Sequence, residues 1–273
     1  MNTRLQALAD TGVGEYIWGV TWPPVSCMCL TFARPQELIE EAVYSFLMQD
    51  YPGEKELLLL NDFEGHRIVF DHPGVTVVNV PARFRTVGEK RNAAAALCRF
   101  DLLAVWDDDD IYLPHRLSFS VRHFEERKRF FKAPQAFFLD DGVLSGPVGN
   151  LFHGASMWRR SLFDEAGGYA HMGSGQDRDL EARFQRLVGA DLEHARIAPG
   201  EVYYIYRWRG TGSYHLSGFG PDGEGKSGSQ KVMEAVERDL SGGKLRTGEL
   251  ALKPHWKIDY TRLVREYLAS VPA

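Results

Sequence analysis

Cysteine is scarce: Cys27, Cys29 and Cys98 are the only three in 273 residues. That is too few for the disulfide framework of a small secreted domain. Cys27 and Cys29 share one face of an apolar segment and read as small core residues. Long apolar runs are also missing. None approaches the roughly 20 residues that cross a bilayer, and the opening MNTRLQALADTGVGEYIWGV lacks the continuous apolar stretch of a secretory signal. The expectation is a cytoplasmic protein with no transmembrane segment. Nor is there a surplus of positive charge. Thirty-two Lys and Arg stand against 37 Asp and Glu, a net charge of -5, which gives no general pull toward nucleic acid. What is present is an ordinary globular composition, 44% hydrophobic and 25% charged, in a chain long enough for a sizeable core.

Strand and helix signals alternate over the first 110 residues or so. Val25 to Phe32 reads as a buried strand. Arg34-Pro35 opens a helix, with Pro35 at a favourable first position, and Leu38, Ile39, Ala42, Val43, Phe46 and Leu47 form its apolar stripe. Strands are expected over 56–60, 75–80 and 102–106, with a helix over 86–98 between the last two. Pro114 opens a helix to about 131. Beyond it, strands are expected over 135–140, 150–158 and 201–208 and helices over 161–166, 177–188 and 230–240, with a glycine-rich loop over 210–229. Such alternation implies an α/β domain with a mostly parallel sheet, and ligands in such sheets bind beyond the C-terminal strand ends. Polar clusters stand at three of those ends: Thr31, Asn61-Asp62, and the run Asp107-Asp108-Asp109-Asp110.

Adjacent carboxylates at the end of a buried strand need a counter-charge, and a divalent cation with oxygen ligands is the usual one. Continued strand geometry would point Asp107 and Asp109 to one side and Asp108 to the other. The alternative for this stretch is a solvated acidic turn, with Asp110 capping a helix ahead of Pro114.

These clusters resemble a known family. VSCMCLTFARPQELIEEAVYSFLMQDYPGEKELLLLND, GEKRNAAAALCRFDLLAVWDDDDIYLPHRL, GASMWRRSLFDEAGGY and GQDRDLEARF are similar, in order and separation, to the family 2 glycosyltransferases. The resemblance implies the GT-A fold, a Rossmann-like nucleotide-binding half with a mostly parallel sheet joined to a mixed acceptor-binding half. On that pattern residues 23–112 form the nucleotide-sugar half and 113–228 the acceptor half. An N-terminal arm (1–22) and a C-terminal helix and tail (229–273) flank this single domain. By resemblance Thr31, Phe32, Arg34, Asp62, Lys90, Arg91, Asn92, Asp107 and Asp108 contact the nucleotide-sugar. Asp107-x-Asp109 matches the metal motif DXD, with Asp109 favoured for direct metal contact. Asp177 matches the catalytic base of inverting members, and His215 the histidine that completes some metal sites. The chain departs from the pattern at Ala33, at Asn61-Asp62-Phe63-Glu64, and at Gln176 beside Asp177, where Asn, Asp-Asp-Gly-Ser and Glu are usual.

The implied chemistry is sugar transfer from a nucleotide-diphosphate sugar to a saccharide or other hydroxyl acceptor. Mn²⁺ or Mg²⁺ would stabilise the departing diphosphate, and Asp177 would take the acceptor proton. The basic run Arg83, Arg85, Lys90 and Arg91 would supply fixed positive charge, or line a solvated helix start. His153 is a candidate for the acceptor pocket. Trp158 and Trp208 are candidates for stacking on a sugar, or for the core. Asp177 has a local alternative as a helix cap. Two rival functions remain. A non-catalytic nucleotide- or carbohydrate-binding protein of the same fold would retain the donor site without turnover. A nucleotidyltransferase would need a glycine-rich loop after the first strand, where Thr31-Phe32-Ala33-Arg34-Pro35 has no glycine.

Overall fold

The computed structural model describes residues 22–150, 152–189, 197–207 and 228–271. All of the expected N-terminal arm but Trp22, together with Trp208, His215 and most of the glycine-rich loop, lies outside the described residues. In chain order the elements are strand β1 (Val25–Thr31), helix α1 (Gln36–Leu47), strands β2 (Lys55–Asn61), β3 (His66–Val69) and β4 (Val75–Asn79), helix α2 (Val87–Leu97), strands β5 (Leu102–Asp107) and β6 (Ile111–Tyr112), and helix α3 (Arg116–Arg122). Then come strands β7 (Phe130–Lys132), β8 (Gln135–Asp140), β9 (Val143–Gly149) and β10 (Ser156–Arg159), helices α4 (Arg160–Glu165) and α5 (Gln176–Val188), strand β11 (Tyr204–Arg207), helix α6 (Gly228–Ser241), strand β12 (Gly248–Ala251) and helix α7 (Tyr260–Ser270).

The main sheet runs β4-β2-β1-β5-β10-β7. Its first four strands are parallel, and β10 and β7 are added antiparallel. Both faces of β1, β2 and β5 are covered, which is why these strands carry runs of apolar residues. Cys27, Cys29, Leu57, Leu59 and Trp106 face Ile39, Ala42, Val43 and Phe46 of α1. Met28, Leu58, Leu60, Leu103 and Val105 face Ala94 and Ala95 of α2 with Trp158, Leu162 and Phe184. Burial pushes the Cys27 thiol up to about 12 and keeps it neutral, as expected of a core residue. Trp158 is fully buried; it is core. A second sheet, β6-β11-β8-β9, packs alongside, and β12 pairs with β3.

Three expectations are corrected. The helix expected to reach 131 stops at Arg122. The chain turns through Glu125–Arg129, Arg129 taking a left-handed φ of 54°, and Phe130 and Phe131 enter the sheet opposite Trp158 and Met157. Burying two phenylalanines in sheet pairing outweighs the helix preference of the Glu-Glu-Arg-Lys-Arg run. The strand expected over 150–158 is instead a single 3-10 turn, His153–Ala155, followed by β10. The alternation expected along the aspartate run also fails, because β5 ends at Asp107 and the next three aspartates lie in the turn.

Candidate functional site

Register fixes where the polar strand ends meet. Thr31 lies opposite Asn61, and Leu30 opposite Asp107, so β1, β2 and β5 present their ends along one edge. Asn61 spends its side chain locally, donating to the Phe63 and His66 carbonyls and accepting from the Phe63 amide. Asp62 faces Lys90 of α2 at 2.5 Å, and Lys90 also donates to the Thr31 carbonyl at 2.6 Å. Burial pushes the Lys90 amine down and Asp62 pulls it back up. Phe32 is half-buried, edge-on to Phe63, with the Arg83 guanidinium 4.4 Å from its ring centre. The Phe84 amide donates to the other Asp62 oxygen at 3.0 Å.

The four aspartates are not a solvated turn. Asp108, Asp109 and Asp110 are 4%, 2% and 1% exposed, and only Asp107 is half-buried. Arg34 supplies the counter-charge that the run requires. Its Nε lies 3.1 Å from Asp108 and its second terminal nitrogen 2.7 Å from Asp109. Burial holds the Asp108 carboxyl above its ordinary range despite Arg34. Asp110 accepts the Tyr204 hydroxyl at 2.6 Å and the Arg207 amide at 2.9 Å, and burial with Asp109 and Asp107 nearby pushes it well up. Asp110 therefore anchors β11 and caps no helix. The Asp107 amide donates to the Tyr112 hydroxyl, which donates on to the Gly154 carbonyl. A Cβ at Gly154 would strike the Asp107 carboxylate and come within 2.7 Å of the Tyr204 hydroxyl, so only glycine allows this approach. Buried Arg116 donates to the Val105 and Gly154 carbonyls and stacks on Trp106 and Tyr112, placing a positive charge beneath the site.

Arg91 stands between Asp107 and Asp177. Its guanidinium is 3.9 Å from Asp107 and 3.4 Å from the Tyr169 hydroxyl. Burial pushes its pKa down, but Tyr169, Asp107 and Asp177 together raise it. Asn92 is occupied by the backbone of Tyr169, donating to its carbonyl and accepting from its amide at 2.9 and 2.8 Å. Asp177 is half-buried at the second position of α5. The residue that precedes the helix is Gly175, with φ 75°, and Asp177 accepts the Arg178 amide at 2.8 Å.

Two groups near the site carry no sequence signal of their own. A small cavity beside Arg34 is lined by Gln36, Glu37, His66, Lys244, Arg246 and Leu250. Lys244 and Arg246 come from the C-terminal segment, far along the chain from the polar strand ends. The second is Glu181, bonded to His153 and Lys132 at 2.7 Å each. His153 is 5% exposed and its other ring nitrogen is 2.7 Å from the Tyr169 hydroxyl. It is bound into this chain of bonds, where the sequence suggested a place in an acceptor pocket.

Among the described residues, no three His, Cys, Asp or Glu side chains converge as a ready metal cage. A divalent ion held by one or two carboxylates and a substrate's phosphates needs no such cage. Asp107, half-buried beside Asp109, offers the hard oxygen donors that suit Mg²⁺ or Mn²⁺.

Residues 26–140 match the family model described as Glycosyl transferase family 2. The matched stretch holds the three strand ends, Arg91 and all four aspartates, whereas His153, Tyr169, Asp177 and Glu181 lie beyond it. The fold is GT-A. The structure of residues 1–349 of S. aureus TarS in complex with UDP-GlcNAc matches with a TM-score of 0.51 and 14% identity, over 80% of this chain and 66% of that one. TarS 1–349 without that ligand matches with a TM-score of 0.47 and 15% identity, over 67% and 60%. The mannosyltransferase PcManGT of Pyrobaculum calidifontis, in complex with GDP-Man and Mn²⁺, matches with a TM-score of 0.49 and 15% identity, over 68% and 57%. The chain thus spans about two thirds or less of each of these structures. No curated protein sequence matches it.

Proposed function

We propose that the protein transfers a sugar from a nucleotide-diphosphate sugar to an acceptor hydroxyl, with inversion at the anomeric carbon. The observation that carries this reading is the convergence of Asp107, Arg91 and the Lys90–Asp62 pair at one sheet edge, with Asp177 in electrostatic range of Arg91. The matched stretch carries all but the last of these residues. The nucleotide half is 23–112 and the acceptor half 113–228, followed by the C-terminal helix and tail. TarS, of the same fold, binds UDP-GlcNAc, which supports a nucleotide-sugar as donor.

Asp107 and Asp109 would hold Mn²⁺ or Mg²⁺ together with the donor diphosphate. The metal, when bound, supplies Lewis-acid stabilisation of the leaving nucleoside diphosphate. Arg91 adds a fixed positive charge beside it. Phe32, with Arg83 over its ring, offers a face for the base, and Asp62, oriented by Lys90, an acceptor for base or ribose hydrogen bonds. Asp177 accepts the proton of the acceptor hydroxyl as the new bond forms. The second reading is a non-catalytic nucleotide-binding protein. It is favoured by one observation: Arg34 already neutralises Asp108 and Asp109.

A thermal-shift panel of UDP, GDP, CDP and dTDP, each with and without Mn²⁺, tests the donor site. One nucleotide should stabilise the protein, and only with metal; silence across the panel overturns the reading. Asp177→Asn then separates the two functions. The folded variant should bind the same nucleotide and lose transfer, and substantial transfer would remove Asp177 from its role.

A further inference from the structure

A line of buried polar side chains runs from α5 to the edge of the site. Glu181 accepts from Lys132 and from His153 Nδ1, each at 2.7 Å, and from Ser156 at 3.2 Å. In the tautomer that donates from Nδ1 to Glu181, Nε2 offers a lone pair, and the Tyr169 hydroxyl 2.7 Å away is the donor there. The Tyr169 oxygen then turns its lone pairs to Arg91, whose nitrogens can only donate. Each contact in the line joins a donor to an acceptor without an added proton, which fixes the direction of the whole line.

The end of the line is unusual. An arginine beside a carboxylate ordinarily closes to a two-pronged pair at about 2.8 Å. Arg91 stays 3.9 Å from Asp107, beyond hydrogen-bond reach. It is held over the Tyr169 ring, 5.3 Å from the ring centre, and its Nε is buried with no hydrogen-bond partner. A buried donor without an acceptor is costly in a folded protein.

We propose that Tyr169, His153 and Glu181 are positioning residues that hold Arg91 off Asp107 and ready for the donor diphosphate. This rests on the donor reading above. The three residues lie outside the matched stretch 26–140 and reach Arg91 through the Tyr169 hydroxyl.

Calorimetric titration with UDP·Mn²⁺ and with GDP·Mn²⁺ tests the proposal in wild type, Tyr169→Phe, Arg91→Gln and the double variant. For the nucleotide that binds wild type, Tyr169→Phe and Arg91→Gln should each weaken binding by about tenfold or more, as loss of a hydrogen bond to a charged group does. The double variant should bind no more weakly than Arg91→Gln alone. Losses that simply add would overturn the relay, because Tyr169 would then act independently of Arg91. His153→Gln, which retains an acceptor for the Tyr169 hydroxyl, should bind more tightly than His153→Ala; equal affinities count against the relay. If wild type binds neither nucleotide, the donor reading fails, and crystal structures judge the positioning separately. In Tyr169→Phe the Arg91 guanidinium should close onto Asp107 to about 3 Å. An Arg91 that has not moved would refute the claim.

Discussion

Gly154 shows how one absent side chain shapes the site. It lets the 153–155 turn approach so closely that a Cβ would displace Asp107 and crowd both tyrosine hydroxyls. Gly154→Ala should cost roughly 1–3 kcal/mol, as overpacking does, and should weaken metal–nucleotide binding because Asp107 must move. Thermal unfolding and nucleotide titration read the two effects, and a variant unchanged in both would show that the turn yields freely. Glu181 gives a pH signature at the same scale. Burial pushes its carboxyl up, but the hydrogen bond from His153 and the nearby Lys132 ammonium outweigh burial and bring it to about 2 from 4.5. A carboxyl depressed in the folded state contributes stability that is complete above about 4.5 and lost as pH falls toward 2. The contribution is at most about 3 kcal/mol. Glu181→Gln should therefore flatten the acid limb of the stability profile over that window, measured by denaturant unfolding at stepped pH. An acid limb identical to wild type would mean that Glu181 gains nothing from its partners.

Periodicity located most of the elements that build the site, and tertiary partners account for the rest. The strands ending at Thr31, Asn61 and Asp107 were legible because burial on both faces demands continuous apolar residues, and α1 was legible from its apolar stripe. The pairing of Phe130 and Phe131 with β10 was not, because a strand of three residues has no period to read. Glu40 and Glu41 sit on the polar side of the α1 stripe, yet both are buried. The C-terminal segment covers them: the Lys253 amide donates to Glu40, and the Lys257 amide and Tyr260 hydroxyl donate to Glu41. Arg34 as partner of Asp108 and Asp109 was equally hidden, since a side chain's direction across a loop is not encoded in spacing. The α2 helix offers a test at this scale. Gly88 lies in its first turn, where alanine would ordinarily add about 1 kcal/mol. A Cβ there would run into the Ala170 carbonyl, and the Gly88 amide donates to Met172. Gly88→Ala should therefore destabilise the protein by roughly 1–3 kcal/mol in urea unfolding. A gain in stability would mean that the helix and the 170–172 segment separate without cost.

At the scale of the whole molecule, the two halves of the chain on either side of residue 112 are joined by shared sheet and buried charge. The main sheet takes β10 and β7 from beyond residue 112. Glu41 of α1 pairs with Arg207 at the end of β11 at 2.5 Å, both side chains nearly inaccessible, and accepts the Tyr260 hydroxyl at 2.8 Å. One carboxylate of α1 thus touches both the second sheet and the C-terminal helix. Removing one member of a buried pair leaves an uncompensated charge and costs about 3–5 kcal/mol, whereas replacing both with apolar residues of similar volume is often close to neutral. Arg207→Met should lower the unfolding midpoint of a single cooperative transition, and Arg207→Met combined with Glu41→Leu should recover most of the loss. Calorimetry distinguishes the outcomes. If the halves were independent, Arg207→Met would split the transition and leave one component at the wild-type temperature. A single shifted transition follows if the polar strand ends, and the site they carry, are held in register by contacts from every part of the described chain.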